Sequence, residues 1–351
     1  MVLSKGFPNT LLSETDVEQL LEQVCDDLAS IGKRILVIIP DGTRTCPLPL
    51  MFRLLNTYLG KRIEQVDYLI ALGTHQPMTP EAISQLVGTH VTAYGLVEEY
   101  PGVHIFNHRW SDPSALKTIG VISRDEAREL TGDLLADEIP VTLNRQIFEY
   151  DQLLICGPVF PHEVAGFSGG AKYLFPGIAG AEIINFTHWL GALVTSMHTI
   201  GVKDTPVRQV IRRAAKFVQQ PLHCLAIVLQ GQNLHGLYYG PHEEAWSAAV
   251  DLSSQLNILH TGKLMRSVLA MPSQMYDDLW TAAKAMYKTE PVIAEGGEVI
   301  IYAPHLREIS YTHGKLIDHI GYHVRDYFTK QWESFKHIPG GILAHSTHVK
   351  G

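Results

Sequence analysis

Short runs of aliphatic and β-branched residues recur along the chain, and stretches with apolar residues at helical spacing separate them. Continuous apolar runs at residues 34–39 (RILVII), 67–71 (DYLIA), 152–156 (QLLIC), 224–229 (CLAIVL), 267–270 and 298–302 (EVIIY) predict strands buried on both faces. A first helix is expected to open at Thr15, with Glu18 completing a capping box, and to run through LLEQVCDDLASIG. Residues 79–87, 207–218, 243–259 and 277–294 show the same helical periodicity.

Strands alternating with helices specify an α/β fold with mainly parallel sheets. A boundary near HTGKL at 260–264 divides the chain into an N-terminal α/β domain (1–260) and a smaller C-terminal one (261–351), with an active-site cleft between them. The Gly- and His-rich tail from Lys336 to Gly351 reads as irregular structure.

Composition narrows the function. The 351 residues are 46% apolar and 18% charged, enough for sizeable cores. The net charge of −8 argues against a nucleic-acid or anionic-membrane partner, since both require a basic surface. Four dispersed cysteines without a CxxC pair, the lack of a long apolar run and a start unlike a signal peptide lead us to expect a cytoplasmic protein. Histidine is frequent, at 18 residues.

In open parallel sheets, ligands bind beyond the carboxyl ends of the strands. Three polar loops follow apolar runs in that manner: Asp41-Gly42-Thr43-Arg44, Thr74-His75-Gln76-Pro77-Met78-Thr79, and a longer one from Pro161 to Lys172. Thr79 is placed to cap the next helix. In the third loop, glycines from Gly166 to Gly180 suggest backbone that approaches a ligand closely. It is not a Walker A loop, because Ala171-Lys172-Tyr173 stands where Lys-Ser/Thr is needed, and no GxGxxG follows the first strand. His188 lies in a helical stretch sixteen residues after Lys172. A single protein histidine holds a metal poorly unless a cofactor supplies the other donors.

DGTR, LGTHQPMT, PHEVAGFSGGAKYLFPGIAG and His188, with the spacing His-x9-Lys-x15-His, together resemble the nickel-dependent lactate racemases and their wider 2-hydroxyacid racemase and epimerase superfamily. The resemblance implies a nickel pincer nucleotide, a pyridinium mononucleotide with two sulfur arms, tethered through a thioamide. Lys172 resembles the tethering lysine and His188 the nickel ligand, while His75 and His162 resemble the catalytic acid/base pair. Asp41, Thr43 and Arg44 would lie beside the cofactor, Arg44 and Lys284 would hold the substrate carboxylate, and Ser168, Gly169 and Gly170 would cradle the nucleotide phosphate. The implied reaction inverts C2 of a 2-hydroxyacid by reversible hydride transfer. Its partners would be a small 2-hydroxyacid and the proteins that make and insert the cofactor.

The C-terminal half departs from the lactate enzymes. Trp280-Thr281-Ala282-Ala283-Lys284 stands where they carry Tyr-Gln-x-x-Lys, so Lys284 is retained while the phenol and amide are not. Trp280 reads equally as a core aromatic. His305 and Arg307 follow the run at 298–302 and could reach the cleft, which would suit an acid larger than lactate, such as an aldonate or a dicarboxylate. Two other readings stay open: a non-catalytic nucleotide or sugar-acid binder of the same fold, and a hydrolase built on His75, His162 and an ordinary divalent metal.

Overall fold

The computed structural model describes residues 2–348. The central sheet has seven strands: β1 (Leu3–Gly6), β2 (Arg34–Ile39), β3 (Gln65–Ile70), β4 (Ile105–Asn107), β5 (Gln152–Pro158), β6 (Leu222–Gln230) and β7 (Asn233–Pro241), in the spatial order β1-β7-β6-β5-β2-β3-β4. The five strands from β6 to β4 run parallel, whereas β7 and β1 add an antiparallel edge. Continuous apolar runs make the parallel strands because both of their faces are covered. Leu36 and Ile38 face one core with Leu153 and Ile155, while Ile35, Val37 and Ile39 face the other with Leu154 and Cys156.

The helices largely follow the apolar periodicity, with corrections at their ends. The first helix spans Glu14–Ile31 and is capped by Ser13, not Thr15: Ser13 and Asp16 form the reciprocal capping box. Asp16 competes successfully with Glu18 because its short carboxylate reaches the Ser13 N–H at 2.9 Å. Thr79 caps the helix Pro80–Val87 as expected, its hydroxyl accepting from Ala82 N–H. The antiparallel edge formed by β1 and β7 was not expected.

After residue 264 the chain builds a second, smaller lobe around a parallel pair, β8 (Met265–Ala270) and β9 (Ile293–Ile301). The single helix expected over 277–294 is instead two short helices, Leu279–Ala282 and Lys284–Thr289, with a 3₁₀ turn at Glu290–Val292 before β9. Pro291 lies within that turn, where its ring cannot continue an α-helix. The tail is not irregular throughout: Gly340–His345 is helical, and Thr347–His348 pairs with His323–Val324. The expectation for residues 349–351 lies outside the described residues. A third core joins Trp280, Ile317, Phe328 and Leu343 to Trp189, which comes from the helix Ala181–Val194. Among the described residues, no helix is long and apolar enough to cross a membrane.

Candidate active site

Three neighbouring parallel strands end at one cavity. Asp41 and Arg44 follow β2, His75 follows β3 and His162 follows β5. Lys172 enters from the 3₁₀ turn Gly170–Tyr173 and His188 from the helix Ala181–Val194. The second lobe adds Trp280, Thr281, Lys284 and His345. The cavity is about 100 Å³. A larger one of about 770 Å³ adjoins it, the two sharing Arg44, His162, Glu163, Ser168 and Lys284.

Backbone and side-chain bonds hold these loops in place. The His75 loop is fastened to the Lys172 loop by Gly73 N–H donating to Gly177 C=O at 2.8 Å, and to β4 by a reciprocal Met78–Asn107 pair. Ser168 pins the glycine-rich loop: its hydroxyl accepts from Phe160 N–H at 2.9 Å, and its carbonyl accepts from the Trp246 indole at 2.8 Å. Gly166 adopts φ +80°, and a Cβ there would lie 1.9 Å from the Val202 carbonyl oxygen.

Asp41 organises the first part of the site. Its carboxylate accepts from the Thr43 hydroxyl at 2.6 Å and meets His75 Nδ1 at 2.5 Å. Burial alone would raise the Asp41 carboxyl, but the His75 imidazole, the Arg44 guanidinium and the Thr43 hydroxyl outweigh it and hold it well below the usual carboxylate range. An ionised Asp41 accepts the Nδ1–H of His75, which leaves the Nε2 lone pair of His75 free.

His162 is arranged differently. Its Nδ1 accepts from Val164 N–H at 3.0 Å, so the neutral ring carries its proton on Nε2. Burial is the main cause that pushes the ring well below its ordinary pKa; Lys172, Lys284 and Arg44 add to it against the opposing Glu163 carboxylate. Glu163 itself is buried, which would raise its carboxyl. His162, when it carries a proton, and the Lys284 and Lys288 ammonium groups reverse that effect and keep it ionised.

The side-chain amine of Lys172 has no hydrogen-bond or ion-pair partner among the described residues. Burial, then Arg44 and Lys284, lower its amine from 10.5 to about 7. The same burial, with Arg44, lowers Lys284 to about 8. His188 donates its Nδ1–H to the Ile184 carbonyl at 2.7 Å, and burial brings it down to about 4. It is therefore a neutral imidazole with a free Nε2, the state a metal ligand requires. No group of three or more His, Cys, Asp or Glu side chains converges in metal-binding geometry among the described residues.

Most of the expected site residues share the cavity, and several need correction. Thr43 lines the adjoining space, its hydroxyl committed to Asp41 and Arg44. Gly170 faces away from the cavity, and a Cβ there would lie 2.8 Å from the Trp246 ring. The crowded glycines largely serve packing: Gly169, though it borders the cavity, backs onto Val159. Neither His305 nor Arg307 reaches either cavity; His305 meets the Tyr276 carbonyl and Arg307 is exposed. Thr281 borders the cavity, but its hydroxyl bonds to Asp278. Trp280 is both core and wall, being buried in the third core while stacking on His345 with ring centroids 3.7 Å apart. Sequence reasoning gave no role to Glu163 or His345. Pro339 before GGILAH is a helix-start signal that could have placed the latter.

Residues 8–201, more than half of the chain, match the family model described as the lactate racemase N-terminal domain. The chain belongs to that family. Among curated relatives, a lactate racemase of Lactiplantibacillus plantarum is 23% identical over 309 residues, covering 85% of this chain and 67% of that protein. One from Thermoanaerobacterium thermosaccharolyticum is 25% identical over 281 residues, covering 79% and 61%. The chain thus spans about two thirds of the length of the family members it matches. A crystal structure of a Thermotoga maritima protein superposes with TM-score 0.87 at 30% identity, covering 97% of this chain and 83% of the other. The lactate racemase apoprotein from T. thermosaccharolyticum superposes at 0.74 with 20% identity, covering 96% and 80%, a likeness of fold.

Proposed function

We propose that the chain is a 2-hydroxyacid racemase or epimerase that inverts C2 with a lysine-tethered nickel pincer nucleotide. The observation that carries this reading is the convergence of Lys172, His188, His75 and His162 on one cavity. The residues suit the group. Lys172 offers an unpartnered amine, half neutral near pH 7, as the point of attachment. His188 offers a neutral nitrogen donor, and because no protein ligand cluster accompanies it, the remaining donors would be those of the pincer. When bound, the group supplies an acceptor and donor for the hydrogen of C2.

The chain's own residues then handle protons and charge. His75 Nε2 takes the hydroxyl proton, and Asp41 stabilises the imidazolium that results. Arg44 and Lys284 bind the substrate carboxylate. In the protein alone, burial and neighbouring cations keep His162 neutral. A carboxylate arriving between Arg44 and Lys284 offsets that repulsion, and for His162 to return a proton from Nε2 on the opposite face its Nδ1 would gain one too, giving up the Val164 N–H for the Glu163 carboxylate 3.7 Å away. Asp41 and Glu163 balance the cations without occupying the proton path.

The cavity lies between residues of 1–260 and 261–351, which we take as two domains whose closure would shut water out. The adjoining space of about 770 Å³ favours an acid larger than lactate, such as an aldonate or a dicarboxylate. We place the reaction in the cytoplasm, with maturation proteins supplying the cofactor. The test is chiral analysis of a 2-hydroxyacid panel in D₂O with protein co-expressed with those maturation proteins. Inversion of C2 without uptake of solvent deuterium there is expected. A panel left unchanged, or deuterium at C2, would contradict the proposal.

A further inference from the structure

His345 lies in the same cavity and has no assigned role. It ends the helix Gly340–His345, which is moored to the helix carrying His188 by Gly341 N–H donating to Asn185 Oδ1 at 3.0 Å. The Tyr287 hydroxyl holds its carbonyl at 2.8 Å. One face of the imidazole stacks on Trp280, and its centroid is 5.7 Å from that of His188. The backbone that carries the ring is thus held at two points and the ring itself on one face.

Its polar atoms are nonetheless unused. His345 is 9% exposed, its Nδ1 is buried, and no hydrogen bond reaches the ring among the described residues. Buried polar atoms rarely go unpaired, and an imidazole fixed at a cavity wall without a partner implies that a ligand supplies one. Most other ionisable groups of the cavity already have a part in the proposed reaction: in that reading His75 and His162 serve the reacting hydroxyl, Arg44 and Lys284 take the carboxylate, and Lys172 and His188 hold the cofactor, while the Thr281 hydroxyl is bonded to Asp278.

We propose that His345, held in its plane by Trp280, is a specificity-determining residue that hydrogen-bonds an oxygen carried on C3 of the substrate. The inference rests on the 2-hydroxyacid reading and narrows its substrate class to acids with a hydroxyl on C3, as aldonates have. A neutral imidazole can both donate and accept, as a hydroxyl can, so the two pair in either sense. A methyl group at that place would leave the ring unpaired, and sites built around such polar groups discriminate against analogues that lack the partner.

His345→Phe keeps a ring against Trp280 and removes both nitrogens, whereas His345→Gln restores a donor and an acceptor. The protein loaded with cofactor is assayed on lactate and on glycerate, which differ by one C3 hydroxyl. The glycerate-to-lactate ratio of kcat/KM should fall about tenfold or more in H345F, through KM for glycerate, and recover in part in H345Q. Nickel per chain and melting temperature should match the wild type. An unchanged ratio, an equal loss on both acids or a loss of nickel would overturn the inference. Calorimetric binding of the two acids to the unloaded protein reads the same contact without turnover. If the wild type inverts no acid of the 2-hydroxyacid panel yet prefers glycerate in binding, and H345F abolishes that preference, the racemase reading fails while the contact stands. Equal binding of both acids by the wild type would sink the contact itself.

Discussion

At the level of single residues, burial and charge divide the work among side chains that look alike in sequence. His75, His162 and His188 all lose charge or gain a partner for different reasons. The Asp41 carboxylate and the Ile184 carbonyl fix the Nδ1–H tautomer of His75 and His188, and the Val164 N–H fixes the Nε2–H tautomer of His162. Asp41→Asn keeps the shape but can donate to His75 where the native carboxylate accepts, so it should lower kcat by about 100-fold or more while leaving the covalent mass intact. A comparable loss of attached cofactor would show that Asp41 serves binding instead. The depressed Lys172 amine makes a second expectation. Raising the pH through about 7 deprotonates it, so acylation of Lys172 in the unloaded protein should rise with a midpoint near there. Peptide mapping that showed Lys172 titrating with the surface lysines, near 10.5, would refute this. The loop histidines and Lys172 were legible because each follows an apolar strand. His345 was not, because its helix is short and follows a glycine-rich stretch that carries little periodicity.

Among elements, the glycine-rich loop shows how one pattern admits two physical explanations. A cluster of glycines can signal a ligand or a tight fold, and here neighbours occupy most of the space that side chains would need. Gly166→Ala places a methyl against the Val202 carbonyl at a positive φ, whereas Gly132, at φ +63°, has nothing within 4 Å. Gly166→Ala should therefore destabilise by about 2–4 kcal/mol, against about 1–2 kcal/mol for Gly132→Ala. Denaturant melts would measure both, and equal effects would contradict the packing account. Four of the five parallel strands of the central sheet were readable from continuous apolar runs, since only a sheet covered on both faces sustains them; the three-residue edge strand β4 was too short to show one. The antiparallel β7 was not, because NLHGLYYGP mixes glycine, polar and aromatic residues. The helix expected over 277–294 failed because Pro291 and the turn before β9 override its periodicity.

The molecule as a whole brings a doubly covered sheet and a small second lobe together over one polar cavity. The second lobe depends on the first for its core: Trp189 packs with Trp280 and stacks on Trp332, and Arg325 donates to the Leu193 carbonyl at 3.1 Å. Trp189→Ala should cost about 3–5 kcal/mol and open the second lobe to limited proteolysis before the first. Simultaneous cleavage in both lobes would show that the core is not shared in this way. The central claim concerns Lys172 and His188 acting on one prosthetic group. Its most direct test is intact mass together with nickel content, measured on protein co-expressed with the maturation proteins. The wild type should gain a covalent adduct and bind nickel, Lys172→Ala should show the bare-chain mass, and His188→Ala should keep the adduct while losing nickel. A wild-type mass equal to the bare chain, with no nickel, would contradict the account and favour a binding protein of the same fold.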